Sequence, residues 1–245
     1  MAIRDTQDCL IFEVATLGTS LLRDTQDCLI FEVPYTPVSI VYPLTPPAAL
    51  KPQDVTMHMM NVVGENISPF VASQQEQQWP GQWFELEVAL RPMLRADYEA
   101  VVGFLGALNG KFGTFLFGDH NAKTPQGVAT GTPLVNGANA SGSNAINLKG
   151  FTPGVTGILK AGDYMQIATS GGLQRLYKNL FDINSDGSGN ATATVFPTIR
   201  EALVDGLSVV LNNTAGTFRL MENDIVWKIA RSRSTSISFK AMEAF

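Results

Sequence analysis

The stretch from Phe84 to Asp119 constrains the fold most, because its hydrophobic period changes twice across short links. "FELEVAL" sets Phe84, Leu86, Val88 and Leu90 on one side and Glu85, Glu87 and Arg91 on the other, the period of a half-buried strand. "RPMLRADYEAVVGFLGALNG" then brings Leu94, Tyr98, Val101, Val102, Leu105 and Leu108 to one side of a helix. Acidic Asp97 and Glu99 lie near its start, where they complement the helix dipole, and Gly110 lies just past its end. "FGTFLFGD" reads as strand again, giving strand, helix, strand.

The last segment is as clear. "DIVWKIA" alternates, and "STSISFKAMEAF" sets Thr235, Ile237, Phe239 and Ala241 against Ser236, Ser238, Lys240 and Met242; joined by "RSRS", the two predict a hairpin. Between these regions the texture changes. From about Thr124 to Thr214, Gly, Asn, Ser and Thr separate short β-like pieces, with turn signals roughly every ten residues, as in a small sandwich or barrel. We read residues 124–213 as a β-domain inserted into a discontinuous domain formed by 67–123 and 214–245.

Ahead of these lies a duplication: "RDTQDCLIFEV" runs from Arg4 to Val14 and again from Arg23 to Val33. Each copy alternates as a strand does, and a pairing between copies through "TLGTS" is sterically open. Structural repeats drift while keeping their pattern, so the identity of these eleven residues points to a recent duplication within the segment 1–33. The second copy, continuous with the proline-rich residues after it, is the expected working one. Cys9 and Cys28 occupy equivalent positions in the two copies and make neither a disulfide framework nor a metal site. Residues 34–66 open with "PYTPVSIVYPLTPPAALKP", whose prolines exclude helix and central strand, and are expected to form an extended arm along a neighbour.

Charge narrows the function. Lys and Arg number 17 against 22 Asp and Glu, for a net charge of −5, with no block of like charges. Gripping nucleic acid by its phosphates needs a basic patch, so that class is disfavoured; a protein that DNA slides past is not. The opening "MAIRDTQD" lacks a basic segment followed by an apolar one, and no apolar run approaches a membrane span, so a soluble protein made in the cytoplasm is expected.

Candidate chemistry is sparse. In "DINSDGSGN", Asp182, Asn184, Asp186 and Gly187 fit the start of a calcium loop, whose twelfth position should be a bidentate Glu and is Ala193. A turn built on Asp-Gly and Ser-Gly is the expected reading. Asp119 and His120 are adjacent, but with His58 the one other histidine there is no partner constellation, and a satisfied loop histidine is expected. "GALNGKF" is one residue short of a phosphate loop. Trp79, Trp83 and Trp227 are expected in core or interface packing rather than as a sugar platform. No catalytic, cofactor-binding or metal residue is assigned, and no enzyme or cofactor is expected.

The stretch "SPFVASQQEQQWPGQWFELEVALRPMLRADYEAVVGFLGALNGKFGTFLFGD" resembles the opening domain of distal tail and other tail-tip proteins of long, non-contractile-tailed bacteriophages. Their pattern is a Gln-rich segment, a Trp, an alternating strand ending in Pro-Met, a helix, and a Gly-Thr-Phe strand. "LKAGDYMQI", "RLYKNL" and "DGSGNATATVFPTIR" are similar to the inserted β-domain of those proteins, and "WKIARSRSTSISFKAMEAF" to their closing hairpin. The resemblance runs from about Ile67 to Phe245.

It implies a mainly β fold: a tail-tube-like β-sandwich with one flanking helix, interrupted by a small β-barrel of OB-like type. It further implies a hexameric ring in the virion tail tip, joining the tail tube protein to hub and fibre proteins and passing DNA through its lumen, without membrane contact. The alternative expectation is an adhesion module binding a host surface glycan through the inserted β-domain.

Overall fold

The computed structural model describes residues 39–169, 171–229 and 235–245, together with four short strands ahead of them. The chain divides into two compact units, Met1–Ile40 and Val41–Phe245.

In the first unit, β1 (Ala2–Arg4) pairs antiparallel with β2 (Leu10–Phe12), and β3 (Leu21–Arg23) with β4 (Leu29–Phe31). Arg4 faces Leu10 and Arg23 faces Leu29, so the two hairpins share one register. Each copy pairs with the residues just ahead of it, and among the described residues no strand of one copy pairs with the other through "TLGTS". Joining Arg4 to Leu10 closes a shorter loop than joining Phe12 to Leu21, at lower entropic cost. Cys9 and Cys28 lie outside the described residues.

The second unit is mainly β. Its first strands are β5 (Pro52–Ile67), β6 (Gln74–Leu90), β7 (Thr114–Phe117), β8 (Gly131–Val135), β9 (Ala145–Phe151) and β10 (Tyr164–Ala168). Further along the chain come β11 (Gln174–Asn179), β12 (Ala191–Phe196), β13 (Val209–Val210), β14 (Gly216–Leu220), β15 (Trp227–Ile229) and β16 (Thr235–Glu243). Helix α1 (Arg95–Ala107) lies between β6 and β7.

One antiparallel sheet runs β5-β6-β16-β14-β7, with β15 paired to β16. The alternation in "FELEVAL" turns Phe84, Leu86, Val88 and Leu90 inward, where they meet Tyr98, Val101 and Leu105 of α1 and Phe115 and Phe218 of the far strands. Each such burial stabilises by about 1.5–3 kcal/mol. Leu94 departs from the expected stripe. It is the extended residue before the first helical turn and is 69% exposed, while Met93 fills the core. At the other end Asn109 (φ 51°) and Gly110 (φ 64°) take the left-handed conformation that ends the helix.

The second sheet, β13-β10-β11-β12-β9-β8, is nearly closed, because Leu134 of β8 bridges to Ser208 beside β13. Its interior is a second core, including Val135, Ile146, Leu148, Met165, Ile167, Val195 and Val209. The chain leaves the first sheet after β7 and returns in β14, and these two strands are hydrogen-bonded neighbours, Gly216 facing Phe117. Gly118 sits there because a Cβ would lie 1.9 Å from the Thr214 carbonyl oxygen. Tyr164, Leu176 and Phe196 of the barrel reach into the first core, and Phe196 packs edge-on against Phe84 at 5.2 Å.

The described residues 39–66 of the expected arm engage the chain's own first sheet. Tyr42, Leu44 and Leu50 pack on the chain's own core, and Leu44 adds a parallel bridge to Phe115 at the β7 edge. Residues 52–66 belong to β5, paired with β6 along its whole length. Past Pro52 the segment has no proline until Pro69, and Val55 and Met57 turn inward with Thr56 and His58 outward.

Candidate functional site

The calcium-like loop joins β11 to β12, and the chain's own amides take up its oxygens. Asp182 accepts hydrogen bonds from the Ala161 N–H (2.8 Å) and the Lys160 ammonium (2.9 Å). Asn184 Oδ1 accepts one from the Gly157 N–H (2.7 Å), and Asp186 Oδ1 from the Ser188 and Asn190 N–H groups, each at 2.8 Å. The Ala161 N–H, then Lys160, hold the Asp182 carboxyl below the usual carboxylate range; the Asn190 and Ser188 amides do the same for Asp186. Each side chain thus pins a different stretch of backbone. Among the described residues no three His, Cys, Asp or Glu side chains are grouped as metal ligands would be.

Asp119 caps its own turn, accepting from the Asn121 N–H at 2.9 Å. His120 comes shortly after β7 at one edge of the first sheet, while His58 lies on β5 at the other edge. The two histidines are therefore not brought together. Trp83 donates to Glu85 Oε1 (2.8 Å) and packs edge-on against Phe245. Trp79 is 56% exposed, so it is not a core residue.

A buried ionic cluster that sequence reading missed joins the barrel to the first sheet. Arg175 of β11, 4% exposed, donates to the Ala244 carbonyl and to Glu201 (3.0 Å) and lies 3.7 Å from Glu243 of β16, which is 1% exposed. Arg200 lies 3.4 Å from the same carboxylate and stacks over Phe245. Burial raises the Glu243 pKa, opposed by the Arg200 and Arg175 charges. Burial, with Glu243 next, pushes the neighbouring Tyr177 phenol up to about 12. Arg175 and Glu243 are closed to solvent while Arg200 and Glu201 are partly open, and together they tie the barrel to the first sheet.

What lies open is the end of the β5–β6 hairpin. Up to Asn61 opposite Gln82 the hairpin belongs to the sheet. There a register shift, with Pro80 and Gly81 as the extra residues on β6, separates the root from a two-stranded arm in which Val62 faces Trp79 and Ile67 faces Gln74. Residues 61–67 and 71–80 are exposed on both faces, and the connecting turn carries Phe70 at 93% and Val71 at 73% exposure. At about 3.3 Å per residue the paired part extends roughly 20 Å. Glu65 stands directly opposite Glu76, an unfavourable cross-strand pair, and no Lys or Arg bridges either among the described residues. The outer edge of β5 has no strand partner among the described residues of this chain, whereas Leu44 caps part of the β7 edge.

Two of the open clefts adjoin the arm or the calcium-like loop. One of about 380 Å3 lies between Trp79, Gln78 and the barrel residues Asn144, Leu180 and Thr198. The other, about 410 Å3, is lined by Asn136, Asn147, Asn184, Asp186, Asn190 and Thr192. No helix among the described residues is long and apolar enough to cross a membrane. No protein-family model matches the chain, and no curated protein matches it.

Proposed function

We propose that this chain is a structural ring subunit of a bacteriophage tail tip, joining the tail tube to the tip complex and leaving a passage for DNA. The observation that carries the reading is the uncovered β5–β6 arm together with the unpaired edge of β5. A two-stranded ribbon is at best marginally stable in water, and an open sheet edge invites pairing with another chain. A ring supplies both covers from identical neighbours, in the number of copies that closes it. Six copies is the number that the sequence resemblance implies.

The charge pattern is compatible with a DNA passage. The outward side of β5, β6 and the adjoining turn bears Asp54, Glu85, Glu87 and Glu222, with Lys240 tied to Glu87. An acidic wall does not collect phosphates, so it would let DNA move. The barrel, joined to the sheet through Arg175, Arg200 and Glu243, would offer its outer surface to fibre or hub proteins.

The test is electron microscopy of virions carrying a labelled copy of this chain, together with the mass of the purified protein. Label at the distal end of the tail and a particle near six times 26.4 kDa are expected. Label on the capsid, or monomers alone at tens of micromolar, would overturn the reading.

A second reading, adhesion to a host glycan, draws on the asparagine-lined cleft. Its amides and the Thr192 hydroxyl offer donors and acceptors of the kind that vicinal hydroxyl groups engage. Saturable glycan binding that Asn147→Ala removes would favour it over the ring.

A further inference from the structure

We infer that the arm of one copy docks on the root of the same hairpin in the next copy, the Glu65–Glu76 pair meeting Lys51 and Arg91. This rests on the ring reading and identifies the surfaces that would join.

The arm carries only the charges of Glu65 and Glu76, whereas at the root Lys51 and Arg91 stand at the end of the strands, near the outward-facing Asp54 and the Lys240-paired Glu87. Toward the tip, Glu65 and Glu76 face each other across the strands. At the root, the last paired residues are Pro52 and Leu90, so Lys51 and Arg91 are the next residues on the two strands, and both are exposed. Neither forms an ion pair among the described residues. The arm therefore places like charges side by side, which costs stability until an opposite charge arrives, and the root offers two cations without an ion pair.

The two ends cannot satisfy one another within one copy. Glu65 is fourteen positions from Lys51 along the hairpin, up to roughly 45 Å at 3.3 Å per residue. Between copies they can meet. Apolar groups match in the same sense: the tip carries Ile67, Phe70 and Val71, and Leu94, exposed beside α1, comes shortly after Arg91.

The charge arrangement also selects the symmetry. Arm against arm would bring four carboxylates together, and root against root would gather the basic side chains. Arm against root is the attractive pairing, and it is heterologous, the kind of contact that generates a ring when its rotation closes.

Two reversed full-length chains test this. Glu65→Lys with Glu76→Lys has basic arms and basic roots; Lys51→Glu with Arg91→Glu has acidic arms and acidic roots. All four side chains are exposed, so both chains should keep the wild-type circular dichroism and melting temperature.

Sedimentation should show each variant, alone, associating at least about tenfold more weakly than wild type. An equimolar mixture should recover assembly with the two chains alternating, and added salt should weaken wild-type and mixed particles alike. Variants that assemble alone like wild type, or a mixture that stays apart, overturn the docking while leaving the ring reading in place. A wild-type chain that never assembles overturns both.

Discussion

Glu243 shows how much one residue can decide. It sits in the alternation of β16 at an inward position, where a hydrophobic side chain would satisfy the pattern, and two arginines from the barrel side approach it. Removing one partner of a buried ionic group leaves the others desolvated and uncompensated, at about 3–5 kcal/mol. Glu243→Ala is expected to destabilise by that amount in urea unfolding, while Glu87→Ala, which removes an exposed bridge to Lys240, should leave the unfolding midpoint nearly unchanged. Equal effects would show that the cluster does not hold the lobes. Strand parity puts Glu243 in step with Ile237, Phe239 and Ala241, and Glu87 out of step with Leu86 and Val88, but it does not say what compensates an inward acid. "FKAME" and "FELEV" both read as alternating strand, and it is the approach of Arg175 and Arg200 from distant segments that lets the inward acid stay buried.

Among elements, the long hairpin divides most sharply in legibility. The root of β6 is legible directly, since Phe84, Leu86, Val88 and Leu90 alternate with polar residues and are all buried. β5 is hidden by its neighbours: a proline-dense run precedes it, and methionines and a histidine in "VTMHMMNVV" blur its alternation. The arm is not legible at all, because a strand exposed on both faces has no periodic pattern to find. For the same reason it contributes little to the fold of its own chain. Replacing residues 62–79 by a short turn should leave the melting temperature within about 4 °C of wild type, but should abolish the assembled particle. Unfolding of the shortened chain would mean that the arm stabilises its own sheet instead of a neighbour's.

For the whole molecule, the duplicated segment forms a unit of its own, Met1–Ile40. Its two hairpins begin at Ala2 and Leu21, just ahead of the identical residues, so a deletion should end at residue 20 to spare the second hairpin. Such a chain is expected to assemble as wild type does, by sedimentation; monomers would give the first copy a role in the ring. The sequence by itself determined the β-rich class, the helix between β6 and β7, the closing hairpin, and the change of texture between residues 124 and 213. These come from periodicity and turn chemistry, which act over a few residues. The tertiary structure alone decided that β7 and β14 are neighbours, that the barrel nearly closes through Leu134 and Ser208, that Arg175 and Arg200 meet Glu243, and that the arm is left bare. Each of these depends on segments far apart in the chain meeting or failing to meet, and no local pattern records such an encounter.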